Sequence, residues 1–134
     1  MSAILANEYV ADTMALVLYL EKRKLSQFVK SVFTEMESGN VTIHVPMMVC
    51  AEILYLSEGG KIDTSLVEVA GALKKFPCLR ECPMNFAAHE AAAQISDIPE
   101  LHDRLIAGVA RLLDSELMTN DPMIRASQFV RTVW

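Results

Sequence analysis

Residues 9–16, Tyr9-Val10-Ala11-Asp12-Thr13-Met14-Ala15-Leu16, decide the fold. A short apolar run ends abruptly at an aspartate, and apolar residues then recur at helical spacing. Such a run suits a strand buried on both faces, and buried strands belong to parallel sheets covered by helices. The helix that follows carries Met14, Leu16, Val17, Leu18 and Leu20 and is expected to reach about Lys22.

The same alternation continues outward. Phe28, Val29, Val32, Phe33 and Met36 mark a second helix over Leu25 to Glu37, stopped by Gly39-Asn40. Val41 to Val45 is β-branched and reads as a strand ended by Pro46. Met47 to about Glu58 is a helix closed by Gly59-Gly60, and Asp63 or Thr64 caps another that runs to about Lys75. Cys78 to Cys82 is a candidate short strand. Asn85 to Ile95 and about Pro99 to Leu113 are helical, with Pro99 placed in the first turn. Leu117-Met118-Thr119 is a short strand, and a final strand is expected over Val130 to Trp134. Strands alternating with helices of this length define an α/β fold with a mostly parallel sheet. In such sheets the ligand site lies at the carboxyl ends of the strands.

The chain has 134 residues, the size of one domain, and shows no internal repeat or linker. It is 52% hydrophobic and 22% charged, which excludes wholesale disorder. No apolar run approaches the ~20 residues that span a bilayer. Met1 to Glu8 does not read as a secretory signal. Cys50, Cys78 and Cys82 are an odd count without metal-ligand spacing, so reduced thiols and a cytoplasmic location are expected. The net charge of −5 is not that of an ordinary nucleic-acid binder, which needs a basic face.

The placement of four acids qualifies that exclusion. Asp12 and Asp121 each follow a short apolar strand; helix capping and turn chemistry are the competing explanations. Glu52 has Met48, Val49, Tyr55 and Leu56 one turn away and so sits on an apolar stripe, where a salt bridge is the competing explanation. Asp103 is followed by Ile106, Ala107 and Ala110, and its alternative role is to favour the helix dipole. Helices packed on the sheet would bring all four into one cleft. Carboxylates at close range repel unless a cation neutralises them. Hard oxygen ligands suit Mg²⁺ or Mn²⁺, which can engage a phosphate and activate a water. The acids at Glu21, Glu35, Glu37, Glu58, Glu68, Asp114 and Glu116 read as solvated surface.

Asp12-Thr13, Ala51-Glu52-Ile53-Leu54, Leu101-His102-Asp103-Arg104-Leu105-Ile106 and Thr119-Asn120-Asp121 together resemble the PIN domain, and most nearly the VapC-like toxins of toxin–antitoxin pairs. The ending from Ile124-Arg125-Ala126-Ser127 through Val133-Trp134 is similar too. The resemblance implies a single three-layer α/β/α domain over residues 1–134 and a metal-dependent endoribonuclease. Asp12, Glu52, Asp103 and Asp121 match the family's acidic positions and would hold Mg²⁺ or Mn²⁺. Thr119 matches a supporting hydroxyl. It also implies an RNA substrate, a cognate antitoxin covering the acidic groove and a homodimer. Arg104 is placed to contact phosphate or orient a carboxylate, with a structural salt bridge as its alternative. Lys22-Arg23-Lys24 and Lys74-Lys75 are solvated helix ends or an RNA path. A catalytically inactive PIN-like module that docks a protein partner is the second reading. A phosphotransfer domain is the third, weakened because the position two residues after Asp12 is Met14 rather than an acid.

Overall fold

The structure is a computed structural model that describes residues 5–134; residues 1–4, and with them part of the N-terminal reading, lie outside it. Its elements run β1 (Glu8–Ala11), α1 (Thr13–Leu20), α2 (Gln27–Glu37), β2 (Thr42–Pro46), α3 (Met47–Glu58), α4 (Leu66–Lys75), β3 (Leu79–Cys82), α5 (Phe86–Ala93), α6 (Leu101–Leu112), β4 (Glu116–Met118), α7 (Pro122–Arg125) and β5 (Thr132–Val133). The sheet order is β3-β2-β1-β4-β5, and all four pairings are parallel rather than most of them. Parallel neighbours need crossovers, and right-handed crossovers put the helices between β1 and β3 on one face and α5–α6 on the other.

The chain steps outward from β1 to β2 and β3, then returns past β1 to β4. Strand order therefore reverses between β1 and β4, and a crevice opens at the carboxyl ends of those two strands. The Asp12 N–H donates to Met118 O at 3.2 Å, which ties the ends of these strands together. Tyr9, Val10 and Ala11 of β1 and Leu117 and Met118 of β4 are fully buried, as strands covered on both faces must be.

Local chemistry sets the boundaries, sometimes away from the expected ones. α1 stops at Leu20, two residues early, where Lys22 takes a positive φ of 55°. Ser26 caps α2 by accepting from Val29 N–H at 3.1 Å, so that helix starts at Gln27 rather than Leu25. The cap of α4 is Ser65, in a capping box with Glu68, and not Asp63 or Thr64. Those two residues instead donate their backbone N–H groups to the Glu21 carboxylate, at 3.1 and 3.0 Å, and the Thr64 hydroxyl adds a third bond at 2.7 Å. Glu21 is thus a tie between α1 and the segment before α4 rather than idle surface, and these bonds lower its pKa. Pro99 lies outside α6, which Glu100 caps. β5 spans only Thr132 and Val133, and the short helix α7 stands where a plain turn was expected.

α5 and α6 pack closely because Gly108 faces Ala88 and Ala92 across the interface. Small residues let helix backbones approach, which holds α6 at a fixed height on the sheet. Among the described residues no helix is long and apolar enough to cross a membrane, and the three cysteines are free.

Candidate active site

Four separate segments deliver acids to one cleft of about 380 Å³, lined by Asp12, Glu52, Asp103 and Asp121 together with Thr13, Met14, Leu18, Leu56, Ile106, Asn120, Ile124 and Trp134. Each acid is held by local geometry. Asp12 is the N-cap of α1, and its Oδ1 accepts from Ala15 N–H at 2.8 Å. Asp121 is the N-cap of α7, and its Oδ1 accepts from Met123 N–H at 2.9 Å and Ile124 N–H at 3.2 Å. Asp103 sits in the first turn of α6, its own N–H bonded to Glu100 at 2.8 Å. Three helix amino ends therefore meet at the cleft, and their exposed N–H groups favour negative charge there. Capping leaves both Asp12 and Asp121 on the lining of the cleft, and at Asp121 a helix cap takes the place of the turn that was the competing explanation.

Glu52 comes from α3 and accepts a short hydrogen bond from the Thr13 hydroxyl at Oε1. It is half-buried rather than submerged in an apolar stripe, because Tyr55, one turn on, faces solvent at 77% exposure. Among the described residues, none of the four acids is in an ion pair; the pairs present are Arg23–Glu21, His44–Glu8, His102–Glu100 and Arg131–Asp114.

Burial pushes the Asp12 carboxyl up to about 6. The Thr119 hydroxyl and the Ala15 N–H pull it back, and the charges of Glu52 and Asp121 push it further up. Asp103 also rises to about 6, first through burial and then through repulsion from Glu100, Asp121, Glu52 and Asp12. Thr119 is fully buried, and its Oγ1 also accepts from Asp121 N–H at 3.1 Å, so one hydroxyl serves both strand-end acids.

These are the conditions a cation would relieve. In kind the donors fit a hard divalent ion: carboxylates without counter-charges, two of them reluctant to ionise. In placement they are not a finished cage, since no group of three or more His, Cys, Asp or Glu among the described residues is arranged to hold a metal as it stands.

The raised pKa values set a sign for pH dependence. In the folded chain Asp12 and Asp103 hold protons more tightly than in the unfolded chain, so the metal-free protein takes up protons on folding. Their stabilisation is complete below about 4 and is lost as pH rises through about 6. Thermal melts in chelator should show the melting temperature falling between pH 4.5 and 6.5. A rise across that window would show that the two carboxyls are not destabilised when charged.

Arg104 does not behave as expected. It forms no ion pair among the described residues, it does not line the cleft, and its Nε is buried without a hydrogen-bond partner. The two basic runs come together away from the cleft. Lys22, Arg23 and Lys24 meet Lys30 and Lys75 around a second groove of about 640 Å³, floored by Leu25, Phe33 and Phe76 and separate from the acids. Thr13 and Trp134 were not assigned roles from sequence. Thr13 directly follows Asp12, but only the packing of α1 against α3 reveals its bond to Glu52.

The crevice of carboxylates lies where the strand order reverses, at the carboxyl ends of β1 and β4. No protein-family model matches the sequence, and no curated protein does. Solved structures do. VapBC2 of Rickettsia felis, bound to a DNA fragment from its promoter, matches with a TM-score of 0.72 and 19% identity over 95% of this chain and 98% of that one. DNA-bound VapBC of Salmonella typhimurium matches with a TM-score of 0.67 and 16% identity over 96% and 98%. FitAcB of Neisseria gonorrhoeae matches with a TM-score of 0.65 and 15% identity over 94% and 96%. The chain has the PIN-like fold of these structures along nearly its whole length.

Proposed function

We propose that this chain is a metal-dependent endoribonuclease and the toxin of a toxin–antitoxin pair. The observation that carries this reading is the convergence of Asp12, Glu52, Asp103 and Asp121, from four segments, on one cleft without a counter-ion among the described residues. The fold shared with VapBC and FitAcB supports the toxin assignment and an antitoxin as partner.

Asp12, Asp103 and Asp121, with Glu52, would hold Mg²⁺ or Mn²⁺. Such an ion supplies Lewis-acid polarisation of a phosphate oxygen and acidifies a water. The protein does the rest. The cap bonds of Asp12 and Asp121 fix their carboxylates against rotation, so little is spent ordering them. Thr13 occupies Oε1 of Glu52 and leaves Oε2 to take a proton from the attacking water. Thr119 keeps Asp12 and Asp121 in register with each other. Arg104 has no assigned step. Self-association would use the outer side of α3, where Leu54 and Tyr55 stand 45% and 77% exposed.

The test is cleavage of a total-RNA pool by the purified chain. Fragments should appear with Mg²⁺ or Mn²⁺ and vanish with chelator. Metal binding without turnover on any RNA would remove the nuclease and favour a module that docks a partner through the same cleft.

A further inference from the structure

We propose that Trp134 is the base-binding wall of the acidic cleft, against which an unpaired base next to the scissile phosphodiester stacks. This rests on the nuclease reading and adds what the substrate must present: a single-stranded nucleotide rather than a phosphate alone.

The placement comes from the sheet. Val133 of β5 lies beside Met118 of β4, and Val133 O accepts from Thr119 N–H at 3.1 Å. Trp134 therefore leaves the sheet at the same carboxyl edge as Thr119-Asn120-Asp121, and it lines the cleft that holds the four acids. It is the chain's single tryptophan and the cleft's one aromatic residue among those described.

Its ring is also uncommitted. Tyr9 meets Phe28 edge-on at 6.0 Å, and Tyr19 stacks on Phe33 at 4.1 Å. Lys75 covers Phe76 at 5.3 Å, and Arg111 covers Phe129 at 5.6 Å. Among the described residues no ring or cation pairs with Trp134, and its indole N–H makes no hydrogen bond. The indole is half-buried, so it is anchored on the core without being covered.

Apolar side chains also line this cleft, among them Met14, 40% exposed, Leu18 and Leu56. An apolar wall does nothing for an ion or an inorganic phosphate. Apolar surface and four carboxylates in one cleft match the two halves of a nucleotide: phosphate toward the acids and their cation, base toward the indole. Stacking accepts any base, because every base has a π-face, whereas a duplex hides those faces.

The single tryptophan is its own reporter. Asp12→Asn protein in Mg²⁺ is titrated with a short single-stranded oligoribonucleotide and, separately, with the same strand in a duplex. Tryptophan fluorescence should be quenched with the same Kd that anisotropy of labelled RNA gives, and the duplex should leave it unchanged. In the otherwise unaltered chain, Trp134→Leu keeps apolar bulk but removes the π-face. It should raise Kd and KM about tenfold while kcat holds, and Trp134→Phe should recover most of that loss. Binding without quenching, or an unchanged KM in a folded Trp134→Leu chain, would overturn the proposal while leaving the nuclease standing. A wild-type chain that neither binds nor cleaves single-stranded RNA would remove both.

Discussion

Asp12→Asn is expected to lower RNA cleavage by about 10³-fold or more, which corresponds to a loss of roughly 4 kcal/mol of transition-state stabilisation. The same change should leave the fold intact and make the metal-free protein more stable. Asparagine keeps the oxygen that accepts from Ala15 N–H, and it is as good a helix cap as aspartate. It removes a charge that burial disfavours: at pH 7 the native carboxyl is ionised against a pKa of about 6 in a site 8% exposed. That relief is worth about 1–2 kcal/mol, or a few degrees in melting temperature. The two effects must appear together. Lost cleavage with a lowered melting temperature would indicate simple unfolding, and retained cleavage would remove Asp12 from the mechanism.

Gly108→Val should have the largest effect on stability. A Cβ at this position would stand 2.8 Å from Ala92 Cβ and 2.9 Å from both Ala88 O and Ala92 N. Two of those neighbours are backbone atoms inside α5 and cannot rotate away. Overpacking of this kind costs about 3 kcal/mol or more, and the Ala variant should lie between. Gly71, in the interior of α4, supplies the contrast. Its Cβ would meet nothing within 4 Å, so Gly71→Ala should be neutral or stabilising by up to about 1 kcal/mol. Chemical denaturation of the three variants decides this. Equal stability of wild type and Gly108→Val would mean that α5 and α6 are free to separate. Because α6 carries Asp103, any shift that accommodates the valine should also weaken divalent-ion binding.

Much of this was legible in the residues. A strand buried on both faces has little room for polar side chains, so Tyr9-Val10-Ala11 and Leu117-Met118 declare themselves, and the polar residues that follow each mark the carboxyl edge. Asp12 and Asp121 could be placed there with no knowledge of the partners of either. Glu52 was located by the right observation and for partly the wrong reason. Helical spacing names its neighbours but not which of them are covered, and Tyr55 faces outward. The bond from Thr13 spans 39 residues, and no local pattern encodes it. The same holds for Glu21, whose partners lie beyond α3. For Arg104 the sequence offers a phosphate contact, a carboxylate to orient or a salt bridge, and among the described residues it forms no ion pair. α7 was hidden because Asn120-Asp121-Pro122 suits a turn and a first helical turn equally well; only the two N–H groups that reach Asp121 Oδ1 separate them.

The strand order has a consequence for the chain during synthesis. β1 is made first, yet one of its two neighbours, β4, begins only at Glu116, and β5 follows at Thr132. A growing polypeptide that has emerged as far as α6 already carries Asp12, Glu52 and Asp103, but it has neither Asp121 nor Trp134 to complete the cleft. The half of the crevice built on β4 and β5 can dock only after nearly all the preceding chain has left the ribosome. Under the proposed function, the growing chain cannot cut RNA until β4 and β5 have joined the sheet.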